Sequence, residues 1–282
     1  MLRRSMLILT AFVVVSLLSS CDALFGGKNL FSSLDGPDVG ALKSATGTDL
    51  IDQLEQSKGG QTDSFGTTFV AAVQSDSGAA DAIYSNLMAI DASGADYSTK
   101  AKAAALAAEF ELAVTPAGAV VNNVVSSAIA LGDNGSTITA DKLIVALVGP
   151  VGVKSQADFV ALAADLLKVA AAYDALGTSL AAGGSTSLDI GDGQGAVVSL
   201  VFKEVMSITN GADDTAKAEA IYSSLIYPSL NGGTADLSIF GATPDTALSN
   251  ALDNVVGTSP VAEYNAIFNA AGVEALVNMI HG

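Results

Sequence analysis

Apolar side chains recur at intervals of three or four residues along much of the chain, which is the spacing of one face of an α-helix. The clearest helix is predicted over residues 156–176, where the apolar positions are Phe159, Leu162, Leu166, Val169, Tyr173 and Leu176. The charged residues of this stretch fall mostly on other faces, so the pattern indicates an amphipathic helix that ends at Gly177. Alternation of apolar and polar residues, which is typical of strands, is almost absent.

Hydroxyl side chains, several of them followed by proline, stand directly before the predicted helices. A Ser or Thr at the N-cap accepts a hydrogen bond from a free backbone N–H, and proline at the first helical position lacks the N–H that would be unpaired there. These start signals are Thr48, Thr115-Pro116, Thr139, Ser155, Thr243-Pro244 and Ser259-Pro260. We therefore predict an all-α protein of roughly ten helices arranged in antiparallel hairpins.

Two stretches without helical periodicity divide the chain. Residues 21–47 carry Gly, Ser and Pro, and we interpret them as a tether that is flexible at least in part. Residues 177–195 are rich in Gly, Ser and Thr, and we interpret them as a linker or a long surface loop. The remaining sequence forms two predicted helical halves, residues 48–176 and residues 196–282.

A hexapeptide occurs once in each half. AIYSNL at 82–87 and AIYSSL at 220–225 match at five of six positions. The stretch 104–114 likewise resembles 246–256 at a slightly different offset, as loop insertions would produce. We interpret these matches as an internal duplication of a helical unit. The alternative is two unrelated amphipathic helices drawn from an alanine-rich composition.

The hexapeptides place one tyrosine in each half, Tyr84 and Tyr222. Both stand beside an isoleucine and a leucine at helical spacing, which favours packing in the core with the hydroxyl near the surface. The functional alternative is that the two tyrosines are related by symmetry and face one groove.

The same segments resemble tetratricopeptide repeats. Ala80, Tyr84 and Asp91 have the spacing of the second helix of that motif, and Ala218 and Tyr222 repeat its first two positions. The resemblance covers about two helix pairs, while the Trp-Leu-Gly of the first helix and the 34-residue period of the motif are missing. It implies a stack of helical hairpins that binds peptides or proteins through a concave face.

The stretch from Met1 to Cys21 has a pattern of its own. Two arginines stand near the start, an apolar run extends from Met6 to Leu18, and small residues lead to Cys21. A charged start, a short apolar run and a small-residue cleavage site are typical of a secretory signal. The run has about 13 residues, whereas a membrane-spanning helix takes roughly 20. We therefore predict that residues 1–20 are a signal peptide that is removed.

Leu18, Ser19, Ser20 and Cys21 resemble the lipobox of bacterial lipoproteins. In that family a signal peptidase cuts directly before the cysteine, whose sulfur carries a diacylglycerol and whose amine is often acylated. The resemblance implies that Cys21 is the lipid-attachment site and that the chain is anchored to a membrane of the bacterial envelope. The mature part would then lie outside the cytoplasm, on the periplasmic or the surface side. Two or more acyl chains give a stable anchor.

The charge of the predicted mature chain narrows the choice of partners. Without residues 1–20 the chain has 10 lysines, no arginine and 29 acids, which is a formal net charge of −19. Nucleic-acid binding requires basic side chains that neutralise phosphates, so we predict no nucleic-acid partner. The same charge disfavours a surface that lies flat on anionic lipid, so we expect membrane contact through the lipid on Cys21.

Few residues of catalytic or metal-binding type are present. Cys21 is the only cysteine and His281 is the only histidine, which leaves neither a nucleophile with its base nor a set of zinc ligands. Glu109 and Glu111 are two residues apart on a predicted helix, so we expect them on different faces, unable to share a proton or a metal. We predict no catalytic residue, no metal site and no cofactor.

Acidic residues elsewhere have structural interpretations. Asp213 and Asp214 stand where a helix is predicted to start, and they complement its dipole. The stretches 131–141 and 188–195 resemble calcium loops in composition, but neither has the ligand spacing of an EF-hand. Polar turns that cap helices are the interpretation we prefer.

These observations favour a membrane-anchored envelope lipoprotein that acts as a non-enzymatic interaction or structural module, with an envelope protein as its partner. An alternative is a carrier for a small apolar ligand or lipid in a cavity between helices, which the mean hydropathy of +0.48 motivates. A third interpretation is an acid–base enzyme whose carboxylates converge in a cleft.

Overall fold

Helices make up the folded part of the protein. The computed structural model describes residues 38–58, 64–123, 153–256 and 261–273. No strand occurs within these ranges, and the β-type pairing that they contain is an isolated antiparallel bridge between Lys58 and Phe65. The predicted all-α fold is confirmed.

The described helices, in chain order, are α1 Val39–Ser44, α2 Gly47–Ser57, α3 Thr67–Ser75, α4 Ala79–Asp91, α5 Tyr97–Val114, α6 Ala117–Asn123, α7 Gln156–Ala181, α8 Ile190–Ile208, α9 Asp214–Ile221, α10 Tyr227–Leu230, α11 Pro244–Val256 and α12 Ala262–Ala270. A π-helical turn, Tyr222–Ile226, joins α9 to α10, and a 3-10 turn, Leu237–Phe240, precedes α11. Short loops join the packed neighbours α4 and α5, and likewise α7 and α8, as is usual for helical hairpins.

α5 is the central helix of the bundle. It packs along α7 most extensively, and it also contacts α2, α3, α4 and α8. Almost every position from Ala101 to Val114 is buried, so neighbouring helices cover most of its surface. Many of these positions are alanine, which has the highest helix propensity and no side chain beyond Cβ. Neighbouring helices can therefore approach α5 closely.

α7 connects the two predicted halves of the chain. α5 packs against it from the first half, and α8, α9 and α12 pack against it from the second. The buried apolar side chains from Leu42 in α1 to Val273 after α12 belong to one continuous hydrophobic core. The two helical halves therefore share a core and are not separate globular units.

Part of the predicted tether belongs to the folded body. α1 lies within residues 21–47, and its Leu42 is buried. Asn86 of α4 donates hydrogen bonds to the backbone oxygens of Lys43 and Ala45, at 3.0 and 3.1 Å. The predicted tether therefore extends too far along the chain, since α1 lies within it. The sequence pattern does not reveal α1, because this helix is short, has no helical periodicity and depends on contacts with distant residues.

The loop predicted at 177–195 is also too long, because helices occupy both of its ends. α7 continues to Ala181, and α8 begins at Ile190. A Cβ on Gly177 would lie 2.6 Å from the backbone oxygen of Glu263, so glycine is what allows α12 to approach α7 at this point. Tertiary packing here overrides the low helix propensity of glycine.

The first turn of α8 has the composition of a loop, yet its residues are helical. The Asp189 side chain accepts a hydrogen bond from the backbone N–H of Asp192 at 3.0 Å, and the Asp192 side chain accepts one from that of Asp189 at 2.8 Å, which completes a capping box. Gly195 follows, where a Cβ would lie 2.6 Å from the hydroxyl oxygen of Tyr173. The stretch 188–195, similar to a calcium loop in composition, is therefore a capped helix start that requires small residues.

Several predicted helix starts are confirmed. Ser155 caps α7 in a capping box with Asp158, and Pro244 is the first residue of α11. The side chain of Asp213 accepts a hydrogen bond from Ala216 N at 2.8 Å and so caps α9. The acid at this helix start is therefore structural, as predicted.

Other predicted starts differ or fall elsewhere. α2 begins at Gly47 with Thr46 at its N-cap position, two residues before the predicted Thr48, and the Thr46 side chain makes no capping hydrogen bond. The starts predicted at Thr139 and at Ser259-Pro260 lie outside the described residues.

Among the described helices, none by itself has both the length and the apolar character needed to cross a membrane. α5 and α6 meet the criterion only as a pair, and they join at a bend of 87°.

Candidate functional site

Two glutamates of the central helix α5 form ion pairs on different sides of it. Glu109 Oε2 lies 2.5 Å from Lys58 Nζ, which follows α2, and Glu111 Oε1 lies 3.5 Å from Lys168 Nζ of α7. The two carboxyls thus have different lysine partners, which confirms the prediction that they point to different faces.

Glu111 is completely enclosed. Its exposed fraction is 0%, and neither carboxyl oxygen has a hydrogen-bond partner among the described residues. The 3.5 Å contact with Lys168 is an ion pair, and it is longer than a charge-assisted hydrogen bond of about 2.7–2.9 Å. This carboxyl is therefore poorly supplied with donors for a buried acid.

Lys168 is shared between Glu111 and an exposed acid. Its ammonium lies 2.6 Å from Asp81 Oδ1 on α4 and 5.8 Å from the centre of the Tyr84 ring. The Tyr84 hydroxyl donates a 2.8 Å hydrogen bond to the backbone oxygen of the same lysine. Asp165, on α7, adds a third carboxylate nearby. We call Lys168, Glu111, Asp81, Asp165 and Tyr84 the Lys168 cluster; it joins α4, α5 and α7.

Burial shifts the titration of the Lys168 cluster. Removal from water disfavours the charged carboxylate and raises the pKa of Glu111 to about 7, although Lys168 opposes the shift. Burial also raises the pKa of Asp165, and burial together with the charge of Glu111 raises the pKa of Tyr84 to about 12. Burial lowers the pKa of Lys168, but its hydrogen bond to Asp81 and the surrounding carboxylates raise that pKa overall.

Glu109 has a closer partner and different surroundings. Burial and the negative charge of Asp192 raise the pKa of Glu109, while Lys58 opposes the shift. The nearby hydroxyl of Tyr173 is completely buried and has no hydrogen-bond partner in the described part of the chain. Burial raises the pKa of Tyr173 as well.

Neither carboxyl is placed to transfer a proton to a bound substrate. A general acid or base must lie within hydrogen-bond reach of the reacting group, whereas Glu111 is fully covered and Glu109 is held by Lys58. The described ranges bring no three His, Cys, Asp or Glu side chains together in a way that would hold a metal ion. The arrangement can take up a proton at Glu111, a carboxyl that pairs with a lysine of a neighbouring helix.

A surface pocket lies between α2, α4 and the start of α5. Its volume is about 240 Å³, and it is lined by Thr46, Gly47, Thr48, Asn86, Ala89, Ile90, Ser93, Ala95 and Thr99. Pockets for small ligands usually measure about 300–1,000 Å³. The side-chain N–H groups of Asn86 already bind the backbone of α1 and the residue after it. This pocket is smaller than the cavity expected of a carrier.

The lipobox residues Leu18, Ser19 and Ser20, the lipid-attachment residue Cys21, and His281 lie outside the described residues. The signal peptide and the lipid anchor therefore stay predictions from the sequence.

Tyr84 and Tyr222 both contact the region of α7, but at separate places. The Tyr84 hydroxyl binds the backbone oxygen of Lys168 at 2.8 Å, and the Tyr222 hydroxyl lies 3.5 Å from that of Lys154, just before α7 begins. At the rise of a helix these two backbone oxygens are separated by about 20 Å. The Tyr222 ring is buried against Phe159. Each tyrosine thus packs against the bundle, and the two hydroxyls are not brought together.

The two hexapeptides differ in backbone geometry. Residues 82–87 lie inside the regular helix α4, whereas residues 220–225 run from α9 into the π-helical turn. The internal duplication and the resemblance to tetratricopeptide repeats stay predictions from the sequence.

Sequence reasoning did not identify the Lys168 cluster. A signal was present, because Glu109 and Glu111 stand within AALAAEFELAV, a stretch that is apolar on every side of a helix. Charged residues in such a helix are buried, and buried charges require partners. The partner, Lys168, is far away in the sequence and carries no comparable signal.

Comparison of the chain with protein-family models, with curated proteins and with solved structures found no match.

Proposed function

We propose that this chain is a lipid-anchored protein of a bacterial envelope, whose helical body acts as a non-enzymatic interaction or structural module. The observation that carries the proposal is the sequence Leu18-Ser19-Ser20-Cys21 directly behind a basic start and a short apolar run. Lipid attached to Cys21 would hold the body at a membrane by burying its acyl chains.

The length of the segment between Cys21 and the helical body is suitable for a tether. The segment from Cys21 to Asp38, the first described residue, would link the lipid to the body. A chain of this length spans at most about 60 Å. The acidic mature chain would be repelled by anionic lipid, so we expect the body to stand away from the membrane at a distance that this segment limits.

The packing of the body supports interaction rather than catalysis. The buried Glu111 and the half-buried Glu109 bind lysines from other parts of the fold and so act between structural elements. Large apolar side chains do reach the surface: Tyr227 and Leu230, at the two ends of α10, are 55% and 37% exposed. Tyrosine is among the residues that are enriched at protein–protein interfaces, so Tyr227 is the candidate contact residue.

The anchor is tested with the full chain expressed in a bacterium. We expect the wild-type protein to sediment with membranes and to incorporate labelled palmitate, and Cys21→Ser to lose the label and the membrane attachment or to stay unprocessed. Ser20→Ala is the matched control, since a small residue is retained before the cysteine and the label should persist. Membrane attachment and normal processing of Cys21→Ser would refute the lipid anchor.

The interaction role is tested on the full chain in detergent. A photocrosslinking side chain at position 227 should capture a defined envelope protein, and one at Ser75, which is exposed but polar, serves as the control position. Native mass spectrometry of the same sample distinguishes the alternative. A bound mass of a few hundred daltons beyond the lipid anchor, without crosslinks, would favour the carrier of a small apolar ligand instead.

A further inference from the structure

We propose that Lys168 is a proton-controlled tie between helices, which binds Asp81 of α4 while Glu111 is protonated and moves to Glu111 of α5 when that carboxyl ionises. The tie would strengthen the contact between α4 and α7 in the protonated state and weaken it in the ionised state, while the Tyr84 hydrogen bond to the backbone oxygen of Lys168 stays in place. This inference concerns the folded body alone and does not depend on the lipid anchor.

The distances describe the first of these two states. Lys168 Nζ lies 2.6 Å from Asp81 Oδ1, which is hydrogen-bond distance, but 3.5 Å from Glu111 Oε1, which is not. A neutral carboxyl does not require an ammonium partner. The lysine therefore binds the acid that is ionised, and the Glu111 oxygens are left without a hydrogen-bond partner within the described residues.

The second state follows from the difference in burial between the two acids. The Asp81 side chain is 73% exposed, so water can replace its lysine at little cost. The Glu111 side chain is 1% exposed, so its ionised form can be stabilised by the ammonium but not by bulk water. Movement of the flexible Lys168 side chain towards Glu111 would shorten that contact to about 2.8 Å, the usual length of such a bond. The same movement lengthens the hydrogen bond to the exposed Asp81, whose carboxylate then binds water.

The charged groups around Glu111 place the ionisation of its carboxyl near neutral pH. α7 presents Asp165 and Lys168, and α4 presents Asp81 and Tyr84. The pairs on the far side of α5 involve Glu109, Lys58, Glu55 and, from α8, Asp192. Burial and the acids nearest to Glu111 raise its pKa to about 7, against the effect of Lys168. The proton is therefore exchanged between about pH 6 and pH 8.

A weaker contact between α4 and α7 has a consequence for the start of the body. Asn86 of α4 holds the end of α1 through the backbone oxygens of Lys43 and Ala45. α4 thus stands between the Lys168 cluster and the point where the chain enters the fold. A looser α4 would weaken the support of α1.

Hydrogen–deuterium exchange of the full chain, compared at pH 5.5 and pH 8.5 after correction for intrinsic exchange rates, tests the tie. In the wild type we expect the peptides of α4 to exchange about fivefold faster at pH 8.5, which corresponds to the loss of one exposed ion pair. Glu111→Gln should keep α4 slow at both pH values. Asp81→Asn should make it fast at both. Glu109→Gln, a matched change on the other face of α5, should leave the wild-type difference intact.

Two results would overturn the proposal. One is equal protection of α4 in the wild type at both pH values. The other is a pH difference that persists in Glu111→Gln or in Asp81→Asn. If Glu111→Gln does not fold, the exchange of α4 in Asp81→Asn still tests the proposal. Carboxyl-carbon NMR of the wild type measures the ionisation of the glutamates directly. No glutamate carboxyl titrating between pH 6 and pH 8 would also refute the proposal.

Discussion

Gly177 of α7 faces the backbone oxygen of Glu263 in α12 so closely that a Cβ at this glycine would lie 2.6 Å from it. Backbone atoms of two helices are therefore nearly in contact, with no side chain between them. This close approach joins α12 to the long helix that both halves of the chain share, and it explains why a residue with poor helix propensity stands inside α7.

Gly177→Ala should destabilise the protein by about 1–3 kcal/mol, because the added methyl group must displace the backbone of α12. In a solvent-exposed helix the same change would be stabilising. Chemical denaturation of both proteins measures the difference. Gly94→Ala is the control, since nothing lies within 4 Å of a Cβ there. Equal stability of Gly177→Ala and the wild type would contradict the close contact.

Stability should be greatest near pH 5 and should decline towards pH 8. The pKa values of Glu109 and Glu111 are raised above the ordinary 4.5 of glutamate, for Glu111 to about 7. The stability that each contributes is therefore fully present below pH 4.5, and it is lost as pH rises through the folded-state pKa. Glu111 alone should account for about 2–3 kcal/mol between pH 5 and pH 8.

Below about pH 5 we expect the stability to decrease as the pH falls, which reverses the trend at higher pH. Hydrogen bonds at helix and turn starts hold the pKa values of Asp96, Asp158 and Asp236 below the ordinary 3.8, so their contribution is lost as pH falls further. Thermal unfolding measured from pH 3 to pH 9 tests both the expected loss of stability at high pH and the expected loss at low pH. Glu111→Gln should make the decline above pH 5 shallower, with the part due to Glu109 remaining, whereas the exposed Glu219→Gln should leave it unchanged. A wild-type stability that rises between pH 5 and pH 8 is the opposite of what we expect.

Tyr173→Phe should be neutral or stabilising. The hydroxyl of Tyr173 is buried without a hydrogen-bond partner in the described residues, so its removal relieves an uncompensated desolvation. Tyr84→Phe is the matched comparison, because that hydroxyl donates a 2.8 Å hydrogen bond to Lys168 O, and its loss should cost about 1 kcal/mol. The midpoints of denaturant unfolding of the two variants and the wild type measure these effects. A cost for Tyr173→Phe as large as that for Tyr84→Phe would show that the Tyr173 hydroxyl does have a partner.

Ser155→Ala should destabilise the protein by about 1 kcal/mol, since it removes the acceptor for Asp158 N from the capping box of α7. Thr46→Ala at the N-cap of α2 provides the control, because the Thr46 side chain makes no capping hydrogen bond and its loss should change little. Circular dichroism during urea unfolding measures both changes. Similar effects of the two substitutions would argue against the capping box.

The fold class and several helix boundaries could be predicted because they depend on local chemistry. Ser155 and Pro244 mark helix starts through groups within one turn, and the apolar stripe of α7 is visible in the sequence. The end of α7 could not be predicted from Gly177. That glycine is a stop signal by propensity, but its role is set by Glu263, which lies far along the chain in another helix.

The candidate site was less accessible to prediction. The spacing of Glu109 and Glu111 showed that they occupy different faces, but not that Glu111 is buried and Glu109 half-buried. Their partners, Lys58 and Lys168, come from different parts of the fold, and which lysine binds which acid depends on how the helices pack. Single-sequence patterns report a residue's own helix face and do not report what lies opposite it.

The shared core has a consequence for how the chain behaves when it is cut. Because α7 is covered by α5 from one half and by α8, α9 and α12 from the other, the exposed loop at 182–189 joins two pieces whose apolar faces shelter each other from water. A protease that nicks this loop should therefore leave both fragments associated, as a complemented pair that migrates as one particle until denaturant separates it. Either fragment made alone should aggregate.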